Sequence, residues 1–193
     1  MPQNAKKIEC HDDFQPQLIV VVDTEEEFDW NKEFDSGERQ VKAISSIDKC
    51  QDVCDIYNLK PNYLIDYPVA NTKLSVDILN PILQESRCNI GAHLHPWVNP
   101  PITEKINNFN SFPGNLPYQL EKDKLKQLTE KIKSNFNITP TLYKAGRYGF
   151  GNNTSRILSE LGYKIDLSFC PPMNFNNVFG PNYSDIESRP YWL

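Results

Sequence analysis

The stretch Cys88-Asn89-Ile90-Gly91-Ala92-His93-Leu94-His95-Pro96-Trp97 governs how this chain reads. Asn89 to Ala92 is a short apolar segment with the pattern of a buried strand. If strand geometry carries through, side chains alternate, so His93 and His95 share one side and Leu94 takes the other. Residues two apart on a strand are separated by roughly 6.5–7 Å. Two imidazoles on that spacing can converge on one ion at about 2.0–2.1 Å each. Pro96 offers no N–H to the ladder and ends the strand. The pair therefore stands where a strand stops, which is where ligands bind in open α/β sheets and barrels. By itself a His-x-His pair is more often two hydrogen-bonded polar residues than a metal site, so the rest of the chain must supply further ligands.

Upstream, Leu18 to Val22 is a continuous apolar run, the pattern of a strand buried on both faces. It leads into Asp23-Thr24-Glu25-Glu26-Glu27-Phe28-Asp29-Trp30. Glu26, Glu27 and Asp29 read as a solvated acidic loop. Asp23 and Glu25 alternate onto one side, and a carboxylate at a buried strand end needs a cation or a donor to offset its desolvation. A polar loop over 31–43 precedes a helix predicted over Ile44 to Tyr57, with Ile44, Ile47, Val53, Cys54 and Tyr57 as its apolar stripe. Asn62 to Ile65 is a second strand and ends on Asp66. Leu74 to Gln84 is a helix with Pro81 as a point of interruption.

After the histidine strand, residues 98–117 form a long loop without periodicity, of the kind that roofs a groove. Tyr118 to Phe136 is a helix, with Leu120, Leu125, Leu128 and Ile132 inward and lysines outward. Pro140 to Ala145 is a fourth strand. Asn152 to Leu161 is a helix capped by Asn152 or Asn153 and ended by Gly162. Tyr163 to Leu167 is a fifth strand containing Asp166, and the remainder is irregular. Strands alternate with helices, and acids or histidines at successive strand ends gather on one face in an α/β fold.

At 193 residues the chain fits one domain, with 17–193 as its body and 1–16 as a loose lead-in in which His11 is solvated beside Asp12 and Asp13. Net charge is -5 with no basic stripe, which argues against nucleic acid as a partner. No apolar run approaches a membrane span, and the N-terminus lacks a signal peptide's apolar core, so a cytoplasmic location is expected. Five cysteines include Cys50 and Cys54, four apart on a helix, which suits reduced thiols better than a bridge. The oligomeric state is not legible.

Three segments, taken in order, resemble the motifs of the polysaccharide deacetylases of carbohydrate esterase family four, and most of all its WalW-type subgroup. They are Val21-Val22-Asp23-Thr24-Glu25-Glu26-Glu27-Phe28, Asn89-Ile90-Gly91-Ala92-His93-Leu94-His95-Pro96 and Tyr143-Lys144-Ala145-Gly146-Arg147-Tyr148-Gly149. The resemblance implies an α/β fold, a distorted (β/α) barrel, here incomplete because five strands are counted and the barrel needs more. It implies one divalent metal, most often zinc, and a glycan or amino-sugar substrate. By position Asp23 is the catalytic base, and Glu25, His93 and His95 are the metal ligands. Lys144 stands where the family has an arginine that orients the base, with Arg147 as a substitute. The family's second histidine lies four residues after the first, where this chain has Trp97, and its general-acid histidine has no counterpart after His95. The resemblance thus implies a metal-dependent hydrolase of N-acetyl groups. Two alternatives stay open: a non-catalytic or truncated relative that binds metal or carbohydrate, and a metal-free glycoside hydrolase using Asp23 and Asp66.

Overall fold

Five parallel strands stand in the sheet in the order in which they occur in the chain. The computed structural model describes residues 6–8, 13, 15, 17–37 and 39–192; the reading of His11 lies outside these. In chain order the elements are β1 (Lys6–Lys7), β2 (Val21–Thr24), α1 (Ile47–Ile56), β3 (Asn62–Ile65), α2 (Tyr67–Asn71) and α3 (Lys73–Gln84). They continue with β4 (Asn89–Leu94), α4 (Tyr118–Phe136), β5 (Leu142–Ala145), α5 (Thr154–Leu161), β6 (Ile165–Asp166) and β7 (Tyr191–Trp192). The sheet runs β2-β3-β4-β5-β6. With no reversal in strand order, right-handed crossovers lay the helices on one face, which is barrel-type winding rather than the doubly wound kind. Among the described residues the sheet stays open, with β2 and β6 as its edges.

Register sorts the side chains onto two faces. Tyr63 pairs with Ile90, Ile65 with Ala92, and Ala92 with Tyr143. These residues share the helix-covered face and join Leu79, Ile82, Leu125, Leu128, Ile132 and Ile157 in one core. Fully burying each large aliphatic side chain there contributes about 1.5–3 kcal/mol. On the other face Asp23 lies level with Leu64, and His93 with Lys144. The hydrophobic face thus anchors the strands while the opposite face presents the polar residues.

Several expectations are corrected. The first strand of the parallel sheet is Val21–Thr24 rather than Leu18 to Val22, and Leu18 and Ile19 are exposed. β2 is an edge strand of an open sheet, so its start has no layer to cover it. Helix α1 begins at Ile47 after a 3₁₀ turn over Lys42–Ser46. Its Val53 and Tyr57 flank face solvent, while Gln51 turns inward to accept a hydrogen bond from the Tyr63 hydroxyl at 2.9 Å. Helix α3 continues through Pro81, because Leu79 and Ile82 bury on either side of it. On α4 one lysine, Lys124, is fully buried rather than outward. Asn153 makes no side-chain cap on α5; the Thr154 hydroxyl instead accepts the Gly151 N–H at 3.0 Å. Gly162 closes that helix in the left-handed region, φ 84°, as expected. The presumed lead-in carries a short strand, β1, which pairs antiparallel with β7.

Candidate metal centre

Both histidines have their ring orientation fixed by the atoms behind them. His93 Nδ1 lies 3.0 Å from the carbonyl oxygen of Lys144 on the neighbouring strand. A carbonyl only accepts, so Nδ1 carries the proton and Nε2 is left with its lone pair. His95 Nδ1 lies 2.8 Å from Glu26 Oε2. Glu26 Oε1 accepts the Trp97 indole N–H at 2.8 Å. The Glu26 N–H donates to Asp66 Oδ2 at 2.8 Å, and Asp66 Oδ1 caps α2 by accepting the Val69 N–H at 2.8 Å. Burial pushes His95 down, against the charges of Glu25, Asp66 and Asp23. Burial thus favours the neutral His95 ring, which donates its Nδ1–H to the Glu26 carboxylate.

The two bare Nε2 atoms face one carboxylate oxygen. Glu25 Oε2 is 3.2 Å from His93 Nε2 and 3.4 Å from His95 Nε2. Three electron-rich atoms at that range repel unless a cation lies between them. Ligands at about 2.0–2.1 Å from a tetrahedral ion are roughly 3.3–3.4 Å from one another, which matches the spacing. Glu25, His93 and His95 thus form a cluster able to hold a metal ion. Burial would raise Glu25, but its carboxyl is held below the usual range, with the Lys144 ammonium among the charges that favour the ionised form.

The cluster opens into a cavity of about 140 Å³ lined by Asp23, Glu25, Trp30, His93, His95, Lys144, Arg147 and Tyr148. Lys144 Nζ pairs with Asp23 Oδ2 and sits 4.8 Å from the centre of the Tyr148 ring. Arg147 makes no hydrogen bond or ion pair with Asp23. Its Nη1 donates to Asn108 Oδ1 at 2.6 Å and to Ser111 Oγ. Lys144, not Arg147, is therefore the cation on the Asp23 carboxylate. The long loop expected to roof a groove lends no residue to the cavity lining; its Asn108 and Ser111 instead hold the Arg147 side chain. Asp66 does not line the cavity, so the paired-carboxylate alternative with Asp23 loses its geometry.

Glu26 is not the solvated loop residue that the acidic run suggests; it is buried, and burial together with the nearby Glu25 raises its carboxyl above the usual range. Burial and the neighbouring Glu26 push Asp66 well above it. Sequence reasoning also missed Lys124, whose Nζ donates to the carbonyls of Pro96 at 2.9 Å and Asn99 at 2.7 Å and pairs with Glu104 at 2.9 Å. That lysine locks the turn that follows His95. Gly146 was missed too. A Cβ there would fall 2.4 Å from His95 Cδ2 and 2.5 Å from the Leu94 oxygen, so only glycine lets β5 approach the histidine ring. The one signal available was its place in the Lys144-Ala145-Gly146-Arg147 segment.

No protein-family model and no curated protein matches the sequence. Solved structures do match the fold. One is the chitin deacetylase from the fungal pathogen Colletotrichum lindemuthianum, 14% identical, over 79% of this chain and 55% of that chain, with a TM-score of 0.51. The fold is that of the polysaccharide deacetylases. A second match is a mutant, with restored enzymatic activity, of a pseudoenzyme of carbohydrate esterase family four from Bacillus anthracis. It is 10% identical over 77% of this chain and 43% of that chain, with a TM-score of 0.51. The chain spans about half the length of these deacetylase-fold structures. Among the described residues no helix is long and apolar enough to cross a membrane.

Proposed function

We propose that this chain binds one zinc ion through Glu25, His93 and His95 and hydrolyses N-acetyl groups from an amino sugar of a glycan, as a WalW-type deacetylase. The observation that carries the reading is the convergence of Glu25 Oε2 and the two bare Nε2 atoms beside Asp23 in one cavity. Two imidazoles and one carboxylate are a donor set of hydrolytic zinc sites, and zinc bound there would lower the pKa of water and offset charge on an amide oxygen. Asp23 is the base in this reading. Lys144 holds one of its carboxylate oxygens, leaving the other to take a proton from water. The departing nitrogen needs that proton back. Asp23, once protonated by that water, is a candidate to return it. Within these 193 residues no histidine follows His95, and the second reading is a relative that binds metal or glycan without turnover.

The test is metal content by elemental analysis together with turnover of an acetylated chitooligosaccharide. About one zinc per chain and turnover that disappears in Asp23→Asn, with zinc retained, support the first reading. Zinc without turnover supports the second. A chain that takes up no zinc refutes both in their metal-binding form.

A further inference from the structure

Arg147 is the one cation of the cavity with no carboxylate partner among the described residues. Phe34 and Phe112 cover its guanidinium, with ring centres 4.9 Å and 4.0 Å from Cζ. Asn108 and Ser111 take Nη1 alone, and both are neutral. Nε and Nη2 make no hydrogen bond among the described residues, and Arg147 is only half-buried and lines the cavity. Burial lowers this group to about 10, a measure of what it costs to hold the charge here without an anion. Both Arg147 and Tyr148 sit in the left-handed region, at φ 55° and 58°, a conformation that non-glycine residues rarely adopt. The fold thus carries strain and desolvation to present a fork of N–H donors whose shape matches a carboxylate.

The charge around the cavity points the same way. Asp23 and Glu25 balance Lys144 and Arg147, so a divalent ion on Glu25, His93 and His95 leaves two positive charges in excess. Cavity size limits what can enter. At about 140 Å³ it is smaller than the roughly 300–1,000 Å³ of pockets that engulf a whole ligand, so it admits a substituent while the rest lies on the rim. Trp30 is on that rim, 55% exposed but braced edge-on by Phe28 at 5.1 Å and Trp97 at 6.3 Å. A rigid, half-exposed indole is a platform for the apolar face of a sugar ring.

We propose that Arg147 is a receptor for a carboxylate that enters the metal cavity, carried either by an acidic N-acetylated sugar stacked on Trp30 or by the acetate that hydrolysis releases. The inference rests on the same cavity as the proposed function, but binding tests it and turnover does not. The zinc-loaded protein is titrated, by calorimetry or NMR, with N-acetylglucosamine, N-acetylmuramic acid and sodium acetate. Arg147→Met and Arg147→Lys are titrated alongside, and Tm and zinc content are recorded for each. The acidic sugar is expected to bind about ten- to a hundredfold tighter than the neutral one, with that preference lost in Arg147→Met. If both sugars bind alike but acetate binding falls at least tenfold in Arg147→Met, the receptor serves the released acetate. If Arg147→Met fails to fold, Arg147→Lys carries the test, because it keeps the charge and loses the fork. Carboxylate binding that is absent from the parent, or unchanged by loss of the guanidinium, overturns the proposal. Arg147-dependent binding in a chain without turnover leaves this inference standing while the hydrolase reading fails.

Discussion

Replacing Glu26 by glutamine keeps the side chain's shape and removes its charge, which isolates what Glu26 does for His95. The carboxylate accepts from two donors, His95 Nδ1 and Trp97 Nε1, each at 2.8 Å. A glutamine has only one accepting oxygen, so its NH₂ must meet one of those N–H groups donor to donor. If Trp97 keeps the oxygen, His95 is driven to the other tautomer, and the lone pair facing Glu25 is lost. A buried hydrogen bond to a charged group is worth about 1.5–3 kcal/mol. Loss of a partner behind a metal-bound histidine typically costs 10–100-fold in affinity, about 1.4–2.8 kcal/mol. The two estimates agree, so Glu26→Gln should raise the zinc Kd by about 10–100-fold. Competition against a chromophoric chelator at fixed pH measures it. Burial raises Glu26, so losing its charge relieves desolvation in the metal-free protein. Weaker zinc binding should therefore come with an unchanged or higher metal-free Tm, which separates this effect from general damage. Glu27→Gln is the control, since exposed Glu27 only accepts the Ala43 N–H. A zinc Kd for Glu26→Gln within twofold of the parent would refute the role of Glu26.

Three further outcomes are expected. Gly146→Ala puts a methyl 2.4 Å from His95 Cδ2, so zinc binding should fall at least tenfold while the far-ultraviolet circular dichroism keeps its helical content. Lys124→Met leaves Glu104 buried without its cation and two carbonyls without a donor, which should cost about 3–5 kcal/mol in urea unfolding. Burial raises Glu121 from 4.5 to about 7, and its Oε2 is buried without a partner. Below pH 4.5 it is protonated folded and unfolded alike. Between 4.5 and 7 only the unfolded chain ionises, so stability falls as pH rises through that window. Glu121→Gln should flatten the Tm profile there and be more stable than the parent at pH 8, by on the order of 3 kcal/mol. An unchanged profile would show that Glu121 ionises normally.

Much of the fold was legible because its signals are local. Strand β3 and helix α4 fall on the predicted boundaries, since turn residues and apolar periodicity bracket both. The start of β2 was not legible. A run of apolar residues signals burial only if a layer covers it, and coverage is a property of the sheet edge. The inward turn of Lys124 was hidden for a related reason. Helical periodicity favours a lysine on the outside, and only the carbonyls of Pro96 and Asn99, brought up by the loop after β4, make a buried ammonium tolerable.

The sequence by itself determined the candidate site residues. Asp23, Glu25, His93 and His95 alternate along strand ends, and parallel strand ends meet on one side of a sheet, so their convergence follows from local pattern and topology. Only the tertiary structure decided which of five neighbouring acids face the histidines, and from which side. Glu25 and Glu26 are adjacent in the chain, but backbone alternation sends one to the front of the histidines and the other behind them. The division of labour between Lys144 and Arg147 was likewise decided in three dimensions. Lys144 lies level with His93 on the next strand and reaches Asp23. Arg147, three residues later and itself in the left-handed region, is carried out of that register and held by the loop at Asn108 and Ser111. Spacing along a chain fixes which face a residue takes, whereas its partner depends on what distant segments bring within hydrogen-bond reach.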